Sequence, residues 1–75
     1  MTDEEITTLL RNESEEFRKL DEEHRNLKGV LAEIDRKLHL TTEEELERKK
    51  YQKLKLSKKD RMAELIRDYK KSRSN

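Results

Sequence analysis

The sequence predicts an all-α protein built as an antiparallel two-helix hairpin of coiled-coil type. Three observations lead to this fold class. Apolar residues recur at alternating steps of three and four through the first half of the chain, helix-start signals open both halves, and the 75 residues include one Gly and no Pro. A sustained three-four repeat is typical of an amphipathic helix, and the near absence of helix breakers allows both segments to be long.

The first helix is predicted over residues 2–39. Thr2 and Glu5 have the spacing of a capping box, and acidic residues occupy the first turn, where the helix dipole favours negative charge. Ten heptad positions run from Ile6 to Leu38 without a slip, and eight are apolar, Glu13 and His24 being the exceptions. This continuity predicts one uninterrupted helix.

The second helix is predicted over residues 42–70, after a turn at 39–42 and before a disordered tail at 71–75. Thr42 and Glu45 repeat the capping-box spacing. A link this short favours antiparallel neighbours. Residues 1–75 therefore form a single domain in this prediction.

Packing of the two helices predicts an apolar seam. Its expected members are Leu10, Phe17, Leu20, His24, Leu27, Leu31, Ile34, Tyr51, Leu54, Met62, Leu65 and Tyr69. A histidine within a heptad can fix register, and it titrates near neutral pH. We therefore expect His24 to be a seam residue, with pH sensitivity of the seam as an open question.

Apolar residues off the seam suggest a surface for a partner. Val30, Leu40 and Leu56 fall outside the predicted stripe. A hairpin of this size gathers little core, so two hairpins forming a four-helix bundle is one prediction. A different protein partner that binds through helix-helix contacts is the other.

Charge is divided unevenly along the chain. Residues 1–40 hold seven Lys/Arg against eleven Asp/Glu, whereas residues 41–75 hold twelve against seven. Halves of opposite sign are expected to attract each other across the seam. The alternative is that the basic second helix contacts phosphates of nucleic acid. The candidate residues are Arg48, Lys49, Lys53, Lys55 and Lys59.

Two segments, EFRKLDEEHRNLK and KLSKKDRM, carry a resemblance to a known family. In the first, Phe17, Leu20, His24, Leu27 and Leu31 stand at heptad spacing. In the second, a Lys-Leu pair precedes Lys59, Asp60 and Met62. The chain thereby resembles the YdcH-like family of small bacterial proteins of unknown function over roughly residues 15 to 69. The resemblance implies a helical hairpin and no particular activity.

Enzymatic and cofactor-dependent functions are not expected. The chain has no Cys, its two histidines are 15 positions apart, and it contains neither a Gly-rich phosphate loop nor a GxSxG motif. No apolar run approaches the length of a membrane span, and the acidic N-terminus lacks the features of a signal peptide, so a cytoplasmic location is expected. The predicted function is a structural or interaction module, with weak nonspecific nucleic-acid binding as the alternative.

Overall fold

The computed structural model describes residues 1–73, and this part of the chain is all-α with three helices. Helix α1 spans Asp3–Glu13, α2 spans Glu15–Asp35 and α3 spans Thr42–Arg73. The all-α prediction is confirmed. The prediction of one helix over residues 2–39 is wrong, because the chain leaves the helical conformation at Ser14 and again after Asp35.

Ser14 separates α1 from α2 because it is both the C-cap of α1 and the N-cap of α2. Its backbone is extended (φ −114°, ψ 116°), and its N–H closes α1 by donating to the Leu10 carbonyl at 2.8 Å. Its hydroxyl accepts a hydrogen bond from the Phe17 N–H at 3.1 Å, which makes it the N-cap of α2. Arg18 donates to the carbonyls of Arg11 and Asn12 and so satisfies the open end of α1.

The turn between α2 and α3 covers residues 36–41 and is longer than predicted. The capping box that starts α3 joins Thr41 to Glu44 rather than Thr42 to Glu45. Leu38, the last position of the heptad series, lies in this turn and is 96% exposed, so it takes no part in the seam. By contrast, the predicted capping box at Thr2 and Glu5 is confirmed.

Helix α3 runs antiparallel to α1 and α2 along the whole molecule, which measures 52 × 19 × 16 Å. Ion pairs fix this direction, since Asp35 meets Arg48 near the turn and Asp3 meets Lys70 at the opposite end. Helix continues to Arg73, so the predicted tail is helical over residues 71–73, while residues 74 and 75 lie outside the described part.

The most buried cluster joins all three helices at the end opposite the turn. Phe17 is 0% exposed and Ile6 is 2% exposed, and Leu10 completes the buried set. Four partly buried side chains of α3 pack against it, namely Met62, Leu65, Ile66 and Tyr69. A second pair of buried residues, Leu31 and Ile34, lies in the last turns of α2.

Candidate interaction surface

The predicted seam residues occupy three environments in the structure. Leu10, Phe17, Leu31 and Ile34 are buried. The half-buried members are Leu20, His24, Leu27, Tyr51, Met62, Leu65 and Tyr69. Leu54 is exposed, and the half-buried position at this level is Lys55 instead. The reason is spacing: Tyr51, Lys55, Lys58 and Met62 continue the four-three step, whereas Leu54 lies 100° away from Lys55 on the helix.

Oppositely charged side chains bridge the helices along both sides of this seam. Arg61 bonds Glu16 at 3.2 Å, Lys58 bonds Glu23 at 2.6 Å, and Arg48 bonds Asp35 at 2.7 Å. In each case the acid belongs to the first half of the chain and the base to the second. The basic stretch of α3 is therefore engaged partly with its own acidic partner helix, as the uneven charge distribution suggested.

Lys37 and Glu44 pair across the turn. The ammonium of Lys37 and the Thr41 backbone N–H both favour the charged carboxylate, and they lower the pKa of Glu44 to about 2. This ion pair links the turn to the first turn of α3.

Asp21 is a buried carboxylate that the sequence analysis did not single out. It is 7% exposed, and its Oδ2 accepts a hydrogen bond from Arg11 of α1 and forms an ion pair with Arg25 of α2, each at 3.0 Å. The contact with Arg11 spans the break at Ser14, so Asp21 ties α1 to α2 by a charged link. Only its i,i+4 relation to Arg25 was visible as a local signal.

His24 lies half-buried on the seam, beside Glu23. Burial lowers the pKa of His24 below its ordinary value, and the positive charges of Lys28, Lys55 and Lys59 lower this pKa further. Asp21 acts in the opposite direction but is already bonded to two arginines. Burial and the three lysines therefore outweigh Asp21, and together they favour the neutral form of His24.

Several cations of α3 have no acidic partner within residues 1–73. They are Lys49, Lys50, Lys53, Lys55, Lys59 and Arg67. Three of them, together with Arg48 and Gln52, line a shallow surface depression on α3 near the turn. Of the five predicted phosphate contacts, Arg48 forms an ion pair with Asp35, and the four lysines form no ion pair with a carboxylate of residues 1–73.

Exposed large apolar side chains gather in the half of the molecule nearest the turn between α2 and α3. Of the six in residues 1–73, only Met1 lies elsewhere, and the others are Val30, Leu38, Leu46, Leu54 and Leu56. Val30 and Leu56 were predicted as partner-surface residues, whereas the third predicted residue, Leu40, is half-buried. Leu46, at 62% exposure, was missed because it falls just after the capping box and belongs to no seam position.

Leu46, Lys49, Lys53 and Leu56 form one stripe on α3, which we call the outer face. Their steps of three, four and three place them on the same side of the helix, away from the seam residue Tyr51. The two leucines are about 15 Å apart at the rise of an α-helix. Lysine stems between them add aliphatic surface while their ammonium groups stay in water.

Comparison of the chain with protein-family models, with curated proteins and with solved structures found no match. Within residues 1–73, no helix is long and apolar enough to cross a bilayer, and no group of three or more His, Asp or Glu side chains is placed to hold a metal ion. The resemblance to the YdcH-like family therefore stays a prediction.

Proposed function

We propose that this protein is an interaction module whose outer face binds an amphipathic helix of a protein partner with acidic flanks. The observation that supports the proposal most strongly is the placement of the exposed apolar residues. Five of six lie in the half near the turn, where α1 does not reach, and two of these five, Leu46 and Leu56, belong to the outer face. Binding of the apolar face of an amphipathic helix to an exposed apolar surface is a common mode of protein recognition.

The charge of the outer face specifies the partner. Lys49 and Lys53 of the outer face, and Lys50 next to them, lie between Leu46 and Leu56. They form no ion pair with a carboxylate of the described residues. A partner helix with Asp or Glu beside its apolar stripe would supply those carboxylates. Such complementary charge mainly increases association rate and specificity, while the leucines supply the buried area.

A second copy of the chain is a less favoured occupant. Two outer faces in contact would bring the lysines of one copy next to those of the other. Such like charges oppose association, whereas an acidic partner helix would pair with these lysines. A four-helix bundle made by two hairpins would need the opposite copy to cover Val30 and Leu54 as well.

Nucleic-acid binding is the second candidate function, because the same unpaired lysines line a surface depression. Phosphate contacts through lysine would weaken steeply between 50 and 200 mM salt. The outer face lacks an aromatic side chain on which a base could stack, since its members are aliphatic and charged. This observation favours the protein partner.

The test compares affinity capture by the wild-type protein with capture by Leu46→Gln/Leu56→Gln. Proteins retained by the wild type at 200 mM salt after nuclease treatment, and lost with the double variant, support the proposal. Ala63→Gln, an exposed position further along α3, is the matched control and should retain them. Identical capture by both variants would contradict the proposal.

Sedimentation equilibrium of the purified protein separates the remaining alternatives. A dimer that dissociates in Leu46→Gln/Leu56→Gln would identify a second copy as the occupant. Capture that disappears with nuclease would identify nucleic acid. Either outcome would contradict the proposal that the outer face binds a helix of another protein.

A further inference from the structure

The seam brings like charges together at one place. Elsewhere along the seam, cations of α3 meet acids, as at Glu16 with Arg61 and at Asp35 with Arg48. On the flank that contains His24, however, the charges that act on His24 from across the seam are those of Lys55 and Lys59. No ion pair neutralises either lysine within residues 1–73.

Helical spacing places these groups as two facing pairs. His24 and Lys28 are four residues apart on α2, and Lys55 and Lys59 are four residues apart on α3. Side chains at this spacing lie on one face, about 5–6 Å apart at their Cβ atoms. The adjacent ion pair between Glu23 and Lys58 fixes the level at which the two pairs meet.

Like charges at this spacing destabilise a helix, and Lys55 is also half-buried in the seam. The two acids whose charge interacts with this cluster are already paired, since Asp21 pairs with Arg11 and Arg25 and Asp35 pairs with Arg48. A local conflict of this kind, in a chain that pairs its other cross-seam charges, is typical of a binding site. An anion with several oxygens would relieve the conflict.

We infer that His24, Lys28, Lys55 and Lys59 form a binding site for a small multivalent phosphate anion, of which inorganic pyrophosphate is the representative. The lysines supply charge, and His24 donates a hydrogen bond to a phosphate oxygen from its neutral or protonated ring. The site uses none of the outer-face residues, so it is independent of the proposed function.

Binding and protonation of His24 must be linked. An anion at this position favours the imidazolium, so it raises the pKa of His24. The experiment follows the His24 ring protons by NMR from pH 5 to 8, with pyrophosphate or with sodium chloride at the same ionic strength. We expect pyrophosphate to raise the pKa of His24 and chloride to leave it nearly unchanged.

Two variants with the same change in net charge test the location of the site. Lys55→Gln/Lys59→Gln removes the α3 half of the cluster and should weaken pyrophosphate binding about tenfold or more, the factor expected for one lost charge-assisted hydrogen bond. Lys49→Gln/Lys53→Gln removes two cations of the outer face and should bind as the wild type does. Because the first variant removes repulsion, it should remain folded, which its helical circular dichroism checks.

Three results would overturn the inference. The first is equal binding by the two lysine variants, and the second is a chloride effect as large as that of pyrophosphate. The third is a response to a thymidine oligonucleotide with none to pyrophosphate, which would indicate a nucleic-acid surface instead.

Discussion

Replacing Glu15 by proline tests the break at Ser14, because the substitution should stabilise the protein if the break exists and destabilise it if the helix is continuous. Glu15 is the first residue of α2, and no hydrogen bond from its N–H crosses the break in the described chain. Proline is well suited to the first helical position, where its fixed φ fits and no donor is lost. The extended backbone of Ser14 is also the conformation that a residue before proline prefers.

The expected gain in stability follows because the backbone of both Ser14 and Glu15 is compatible with proline at position 15. A proline at a compatible position stabilises a protein by about 0.4–1 kcal/mol through the unfolded chain. For a domain of this size, that corresponds to a rise in Tm of about 2–8 °C. In one uninterrupted helix, the same proline would remove a hydrogen bond to Arg11 and clash with its carbonyl, at a cost of about 3 kcal/mol or more.

Thermal unfolding followed by circular dichroism at 222 nm measures the difference. Glu22→Pro, at an exposed position inside α2, is the control and should lose about 3 kcal/mol or unfold the protein. If Glu15→Pro is as destabilising as Glu22→Pro, the helix continues through Ser14 and the three-helix description is wrong.

Two further predictions concern buried charge and pH. Asp21→Asn removes the carboxylate shared by Arg11 and Arg25 and should cost about 1–3 kcal/mol in urea unfolding; an unchanged midpoint would mean that the link does not hold α1. The pKa of His24 is lower in the folded protein than in the unfolded chain, so the unfolded chain binds more protons near pH 6. The contribution of His24 to the free energy of unfolding should therefore be constant above about pH 6.5 and should decrease as the pH falls below it. His24→Gln should remove this part of the pH dependence while His39→Gln should preserve it, and equal profiles for the two variants would refute the assignment.

The heptad pattern predicted the apolar stripe more accurately than the helix boundaries. Phe17 and Leu31 are buried at positions that the three-four step marks. Periodicity, however, records only which side of a helix is apolar, and it continues unchanged through Ser14 because a bend can preserve the facing side. A local signal was present, since Ser14 is followed by Glu15 and Glu16, as Thr2 is followed by acids.

Register across the seam explains why the straight helix is not adopted. The numbers of paired residues add to 83 at Asp35–Arg48 and to 81 at Glu23–Lys58, then to 77 at Glu16–Arg61 at the start of α2, and to 73 at Asp3–Lys70 in α1. In the register of the turn end, Leu10 would lie opposite Ser72, beyond Tyr69, the last apolar residue of α3. The bend returns α1 to the apolar part of α3, a long-range requirement that no local sequence signal records.

The site residues were less predictable for a related reason. Leu46 and Lys55 differ from their neighbours only in which side of α3 they occupy, and one step of 100° decides between seam and solvent. The stripe of α3 is interrupted by lysines, so sequence alone placed Leu54 in the seam where the structure places Lys55. The repulsion between the cations near His24 can be recognised only when the register of α2 against α3 is known.

The one-residue joint at Ser14 also has a consequence for how the molecule comes apart. In a continuous helix, fraying at one end is opposed by the hydrogen-bond ladder of the turns that follow. Here that ladder is interrupted, so α1 is retained by Ile6, Leu10 and its charged contacts rather than by the backbone of α2. Amide protons of α1 should therefore exchange with solvent by a separate, smaller opening, while those of α2 and α3 remain protected together.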